Sequence, residues 1–317
     1  MDYKVRVGQK MSFTVIAAAI LMVLAGCHSK NEPSSSSGGK SPDGKPVVFV
    51  SNYPLLWMTR AIAGDKVDIL APWAGLGDPA YWEPEPRDVS AMQESSLILL
   101  NGATYEQWRS GISLPESRVV LTAQGFKDRW IEVEDAVVHS HGPDGDHSHA
   151  GTAFTTWLDL NLARQQMKAV HEALLKLVPD AEDNFTPAWQ DSDARLAALE
   201  QKLKELSPKL KSTSLLGSHP VYQYLARAGD LTLRELHWEP DSDPGDPEWK
   251  KLEESHKNAP YTAMLWEYTP ISGNVAKLDQ LGIRSITFTP VADRPENGGD
   301  FPTIMESNIN NLASLLQ

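Results

Sequence analysis

Asp183-Asn-Phe-Thr-Pro-Ala-Trp-Gln-Asp-Ser-Asp-Ala-Arg-Leu-Ala-Ala-Leu-Glu-Gln-Lys-Leu-Lys-Glu-Leu206 is the stretch that decides the fold. It is dominated by Ala, Leu, Glu, Lys and Gln, which lose little freedom in a helix. Ser207-Pro208 closes it, and Pro179-Asp180 separates it from a similarly composed segment, Leu160 to Leu177. At 1.5 Å per residue the second segment is roughly 35 Å long. That length suits a strut joining two lobes better than a helix lying on one sheet.

Both flanks of the strut read as α/β. Upstream, Val47-Val-Phe-Val-Ser51 is a short β-branched apolar run, and Pro54 to Ala63 carries Leu55, Leu56, Met58 and Ile62 at helical spacing before Gly64-Asp65. A second strand follows at Val67 to Leu70, then a loop dense in Gly, Pro and Trp from Pro72 to Pro86. A short helix at Val89 to Ser95, the strand Leu97 to Leu100 and an Asn101-Gly102 turn complete the set. Downstream, Ser214 to Gly217, Ala263 to Trp266 and Ile283 to Phe288 read as strands of a second lobe. The predicted class is α/β: two lobes with central parallel sheets joined by a long rigid helix. No internal repeat is strong enough to argue from.

The N-terminus has a different character. Lys4, Arg6 and Lys10 precede an apolar run from Phe13 to Leu24, the layout of an export signal. The run is short for a membrane span. It ends in Leu24-Ala25-Gly26-Cys27, which looks like a bacterial lipobox, and Cys27 is the only cysteine. The expectation is a cleaved signal over 1–26 and a lipid anchor on Cys27, placing a monomer at the membrane on the periplasmic or outer face. Residues 27–46, with serines at 34–37, cannot bury a core and read as a tether. The rest divides into an N-terminal lobe (47–158, with a His-rich loop at 138–150), a helical segment (159–211) and a C-terminal lobe (212–317). The net charge is −13; losing Asp2, Lys4, Arg6 and Lys10 with the signal, one acid and three bases, makes it −15. An acidic body argues against nucleic acid and anionic headgroups as partners and suits cations.

Four of the nine histidines fall within His139-Ser-His141-Gly-Pro-Asp-Gly-Asp-His147-Ser-His149. Neutral imidazole binds zinc, copper and nickel well, so this loop is a local metal trap. Its spacing is not that of a zinc finger. Enzyme signatures are missing: there is no His-Glu-x-x-His, no Gly-x-Ser-x-Gly, no phosphate-binding Gly-x-x-x-x-Gly-Lys, and no thiol besides Cys27. The reading is a binding protein and not an enzyme.

Several landmarks occur in a specific order: Tyr53-Pro54, Ala61-Ile-Ala-Gly64-Asp65, Gly77-Asp78-Pro79 with Glu83-Pro84, Leu99-Leu-Asn-Gly102, Trp157-Leu-Asp159, the long helix, Ser218-His219-Pro220 with Tyr222 and Tyr224, and Trp266-Glu267. With them the chain resembles, through nearly all of 47–317, the solute-binding lipoproteins of bacterial zinc and manganese ABC importers. The resemblance implies a cleft between the lobes that binds one transition metal, zinc before manganese, and delivers it to an ABC permease in the membrane.

The resemblance also implies three ligands that this chain lacks. Family histidines follow Asp-Pro and precede Trp-Leu-Asp by two residues, where Ala80 and Thr155 stand here, and a common late aspartate is replaced around Thr289. Only His219 is kept. One explanation relocates the ligands: His219 and Glu267 joined by two imidazoles from His139, His141, His147 and His149, a set that suits tetrahedral zinc. Alternatively the loop is an antenna that concentrates metal, or the protein is a metal chaperone or buffer. In the other explanation metal binding is lost, and Trp57, Trp73, Tyr81, Trp82, Trp157 and Trp266 make an aromatic cleft for an organic ligand or a chelate. His237 is a weaker cleft candidate. His171 reads as packing, His256 as a solvated helix face, Asp159 as the cap of the helix beginning at Leu160, and Asp78 and Glu83 as groups that orient the loop around Ala80.

Overall fold

Valines at 47, 48 and 50 form the first strand, β1 (Val47–Val50), three of whose four residues are buried in the computed structural model. The structure describes residues 39–317 except 42, 134–137, 141–145, 149–150 and 296–297, and only the backbone of 138–140 and 146–148. The expected signal, the Cys27 anchor, His141, His149 and the side chains of His139 and His147 therefore lie outside the described residues. Among the described residues no helix is long and apolar enough to cross a membrane.

Asn52, two residues past β1, caps α1 (Tyr53–Ala63), its side chain accepting from the Leu55 amide at 3.0 Å. Gly64, at φ 54°, stops the helix. β2 (Asp68–Leu70), α2 (Pro86–Glu94), β3 (Leu97–Leu100) and β4 (Val119–Leu121) follow, and the four strands form a parallel sheet in the order β2-β1-β3-β4. β5 (Glu132–Val133) pairs antiparallel with β8 (Gly151–Thr152). Between them β6 (Val138–Ser140) and β7 (Asp146–Ser148) make a hairpin that sets His139 opposite His147.

Asp159 caps α3 (Leu160–Leu177), accepting from the Asn161 and Leu162 amides as expected. α4 (Glu182–Leu210) is longer than its composition predicts, because Pro208 does not end it. A proline there removes one i→i−4 bond near the terminus, while Leu206 and Leu210 keep the helix buried on its packed face. From Ser192 on, the buried Leu196, Leu199, Leu203, Leu206 and Leu210 recur at alternating steps of three and four, a mainly apolar stripe that Glu200 also joins.

The second lobe repeats the plan. β9 (Ser214–Gly217), α5 (Gln223–Ala228), β10 (Thr232–Glu235), α6 (Asp246–Asn258), β11 (Ala263–Trp266), α7 (Ser272–Gln280) and β12 (Arg284–Thr287) give a parallel sheet ordered β10-β9-β11-β12. α8 (Phe301–Ala313) packs on α4 and α1. The predicted two-lobed α/β architecture with a long helix is the observed one.

Candidate metal centre

In parallel sheets, ligands bind outside the carboxyl ends of the strands where the order reverses. In the second lobe that point lies between β9 and β11. Gly217 pairs with Leu265, and the Ser218 amide donates to the Leu265 carbonyl at 2.8 Å. The next residues, His219 and Glu267, thus leave the sheet side by side, and His219 Nδ1 meets Glu267 Oε1 at 2.8 Å. Both side chains are largely buried, 12% and 16% exposed. Of the six candidate ligands read from the sequence, His219 and Glu267 stand together.

A second arm comes from the other side of β9. Leu236 and Trp238 amides donate to the Gly217 and Ser218 carbonyls, so the chain beyond β10 runs beside the Ser218-His219 turn. Trp238 is buried against Trp249 and Trp266 (centroids 4.7 and 6.5 Å). Its two neighbours face His219 instead: the His237 ring lies 6.3 Å away edge-on, and Glu239 Oε1 is 3.5 Å from His219 Nε2. His237 is therefore at the site. Glu239 went unread in the sequence, because no spacing marks a residue carried in by the irregular segment after an edge strand.

Glu235 holds the turn from behind. Its carboxylate accepts from the Tyr222 amide and from Gln223 Nε2, each at 2.9 Å, and burial pushes it up to about 7. Gly217 is required here, since a Cβ would come within 2.8 Å of the Tyr222 ring.

The first lobe contributes acid. Asp78 lies where water reaches it but protein crowds it on most sides. Burial, reinforced by the charges of Glu267 and Asp293, pushes its carboxyl up to about 6, against the pull of the Ala80 amide (2.9 Å) and the Tyr105 hydroxyl. Asp78 does orient the turn at Ala80, whereas Glu83 is exposed. Asp293, also unread, accepts from the Gly75 amide at 3.0 Å. Burial lowers the hold of His219 on its proton. The Glu267 hydrogen bond and the charges of Glu267, Glu239 and Asp78 outweigh this, so its pKa is raised.

At the positions where the resemblance implies ligands, other bonds stand. Ala80 is buried, the Thr155 hydroxyl donates to the Val221 carbonyl at 2.6 Å, and the Thr289 backbone is held by Asn308. Among the described residues no three His, Cys, Asp or Glu side chains already stand at metal-ligand spacing. The expected aromatic cleft is corrected: Trp57, Trp73, Trp82, Trp157 and Trp266 are core residues, and Trp73 and Trp157 spend their indole N–H on the Val50 and Pro290 carbonyls. His171 is packing, stacked on Trp189 at 4.7 Å. His256 does more than face solvent, since its Nδ1 accepts from the Tyr261 amide at 3.0 Å.

A fold of this plan, with its polar groups at one strand-order reversal, defines an interlobe binding protein. The chain belongs to the family described as zinc-uptake complex component A, periplasmic (ZnuA), which it matches over residues 48–315. That family is a solute-binding component and not an enzyme family. The chain is 27% identical over 251 residues to the high-affinity zinc uptake system protein ZnuA of Bacillus subtilis, covering 75% of this chain and 74% of that protein. It is 24% identical over 323 residues to the metal ABC transporter substrate-binding lipoprotein SloC of Streptococcus mutans, covering 96% and 98%. Against the zinc-binding lipoprotein AdcA of Streptococcus pneumoniae it is 22% identical over 87% of its own length, but spans only 57% of that protein. In fold it is similar to Zn(II)-bound AdcA (TM-score 0.72, 18% identity, 86% of this chain and 58% of that one) and to the periplasmic zinc-binding protein TroA of Treponema pallidum (0.70, 20%, 86% and 99%).

Proposed function

We propose that this protein is the lipid-anchored, extracytoplasmic component of an ABC importer, capturing zinc in the cleft and releasing it to a membrane permease without transforming it. The observation that carries the reading is the His219–Glu267 pair, set at 2.8 Å on the carboxyl ends of adjacent central strands in a chain of this family. Imidazole and carboxylate together suit zinc. The names of the relatives support that metal. A structurally similar protein, FpvC of Pseudomonas aeruginosa, is bound to Mn2+, so manganese is the competitor to test. The site takes His219, Glu267 and, from the sequence, imidazoles among His139, His141, His147 and His149. The burial of five tryptophans leaves the organic-ligand reading without its aromatic lining. Lipid on Cys27, a monomeric state and the absence of nucleic-acid partners belong to the same proposal.

The test is calorimetric titration of the metal-stripped protein with zinc and with manganese, beside His219→Ala and a deletion of 138–150. One tight zinc site, lost in His219→Ala, is expected. Loss in the deletion as well makes the loop a ligand source, and survival makes it an antenna. No tight site in the parent overturns the proposal.

A further inference from the structure

The two carboxylates that touch His219 stand at different kinds of distance. Glu267 Oε1 is 2.8 Å from Nδ1, the length of a charge-assisted hydrogen bond, about 2.7–2.9 Å. Glu239 Oε1 is 3.5 Å from Nε2. Two donors each about 2.0–2.1 Å from one tetrahedral zinc lie about 3.3–3.4 Å apart. Glu239 and Nε2 are therefore already spaced as the edge of a zinc tetrahedron, and Glu267 and Nδ1 are too close for one. An imidazole nitrogen that keeps its proton and donates it in a hydrogen bond to a carboxylate has no lone pair for metal, and the two ring nitrogens point in different directions. With Nδ1 engaged by Glu267, metal meets His219 at Nε2, the edge that faces Glu239.

We infer that the metal site opens on the Nε2 side of His219: Glu239 is a direct ligand, His237 is the third donor recruited when metal enters, and Glu267 acts by orienting the His219 ring. The inference rests on the zinc-binding reading above and deepens it, replacing Glu267 as ligand by Glu239. The frame explains how an edge segment supplies two ligands. Trp238 is locked into the outer core by Trp249 and Trp266, and alternation along an extended chain turns its neighbours at 237 and 239 the opposite way. Glu239 is 45% exposed on its side chain, and His237 is exposed. The His237 and His219 rings stand 6.3 Å apart, and entering metal draws the His237 side chain across that gap while Trp238 stays in place. A carboxylate that holds the far nitrogen of a ligating histidine fixes its tautomer and raises its basicity, and losing such a partner costs about 10–100-fold in metal affinity.

The test uses the full-length protein with Co2+ as a spectroscopic probe and zinc affinity by chelator competition, on Glu239→Gln, His237→Ala, Glu267→Gln and His219→Ala. Glu239→Gln and His237→Ala are expected to weaken zinc by more than the ~10–100-fold of an orienting partner and to change the visible Co2+ bands, because a ligand is lost. Glu267→Gln is expected to stay within that range with its bands in place. Apo melting temperatures report the fold, so a loss of zinc affinity at an unchanged apo melting temperature is the loss of a ligand. If Glu239→Gln binds as the parent does while Glu267→Gln changes the bands, the inference falls and the zinc-binding reading stands. If His219→Ala keeps a tight site with parental bands, both fall.

Discussion

Trp157 shows how a side chain in a family landmark serves the fold before the metal. Its ring is fully buried, edge-on to Tyr105 at 5.4 Å, and its indole N–H reaches the Pro290 carbonyl at 2.7 Å. Thr155, two residues earlier, donates to Val221. Both acceptors belong to the second lobe, so the segment before α3 is a clasp between lobes. Trp157→Phe keeps most of the ring and removes the donor, leaving Pro290 with a buried, unpaired carbonyl. We expect a loss of about 1–3 kcal/mol, read from the urea midpoint; an unchanged midpoint would show that Pro290 finds another donor. At this scale the sequence was legible where a polar residue closely follows an apolar central strand, as His219 follows β9 after Ser218 and Glu267 directly follows β11. Glu239 follows the half-exposed edge strand β10, and Asp293 lies in a loop after β12. Neither has a local pattern, because their placement depends on backbone bonds to residues far along the chain, such as Trp238 to Ser218.

Among the elements, α4 was legible in kind and wrong at its end. Composition and length predict a strut; they do not show that α3, α1 and α8 all pack along it, which is what carries the helix through Pro208. The α3–α4 contact contains an ionic clamp. Arg164 on α3 meets Asp193 at 2.8 Å and Glu200 at 2.9 Å on α4, and Lys204 also bonds Glu200. Burial raises the Glu200 carboxyl, but the Lys204 and Arg164 hydrogen bonds outweigh it, and its pKa is lowered. A carboxyl whose pKa is lower folded than unfolded contributes stability above its unfolded value of about 4.3, and loses it as pH falls through the folded value. Glu200→Gln should therefore lower the melting temperature at pH 7 by about 2–4 °C, the shift expected for roughly 1 kcal/mol in a protein of this size. Below both pKa values the difference should shrink toward zero. A gap that persists in acid would mean that Glu200 acts through packing and not through charge.

The whole molecule is two copies of one strand order, β2-β1-β3-β4 and β10-β9-β11-β12, and no residue repeat announces it. Topology of this kind follows from right-handed crossovers between parallel strands, which any adequate apolar pattern satisfies, so the sequence has no need to repeat. The lobes are tied at several points by the stretch after β12. Tyr53 donates its amide to Ala292 at 2.8 Å and its hydroxyl to Gly299 at 3.0 Å, Gly75 donates to Asp293, and Arg195 on α4 pairs with Asp300 at 2.8 Å. Trp57 on α1 packs against Phe301 on α8 at 5.7 Å. Wide opening would break all of these together, whereas recruiting His237 needs only the side chains at 237 and 239 to turn, with the backbone held at Leu236 and Trp238. Zinc should therefore stabilise the protein without reshaping it. At a free concentration about 100 times the Kd the gain is about 2.7 kcal/mol, or about 5–10 °C in melting temperature. The radius of gyration from solution scattering should match that of the metal-stripped protein, while amide exchange slows around 217–222 and 236–240. A clear contraction on adding zinc would show that the ties through 290–300 break and re-form, and that the lobes, rather than the side chains at 237 and 239, move to take the metal.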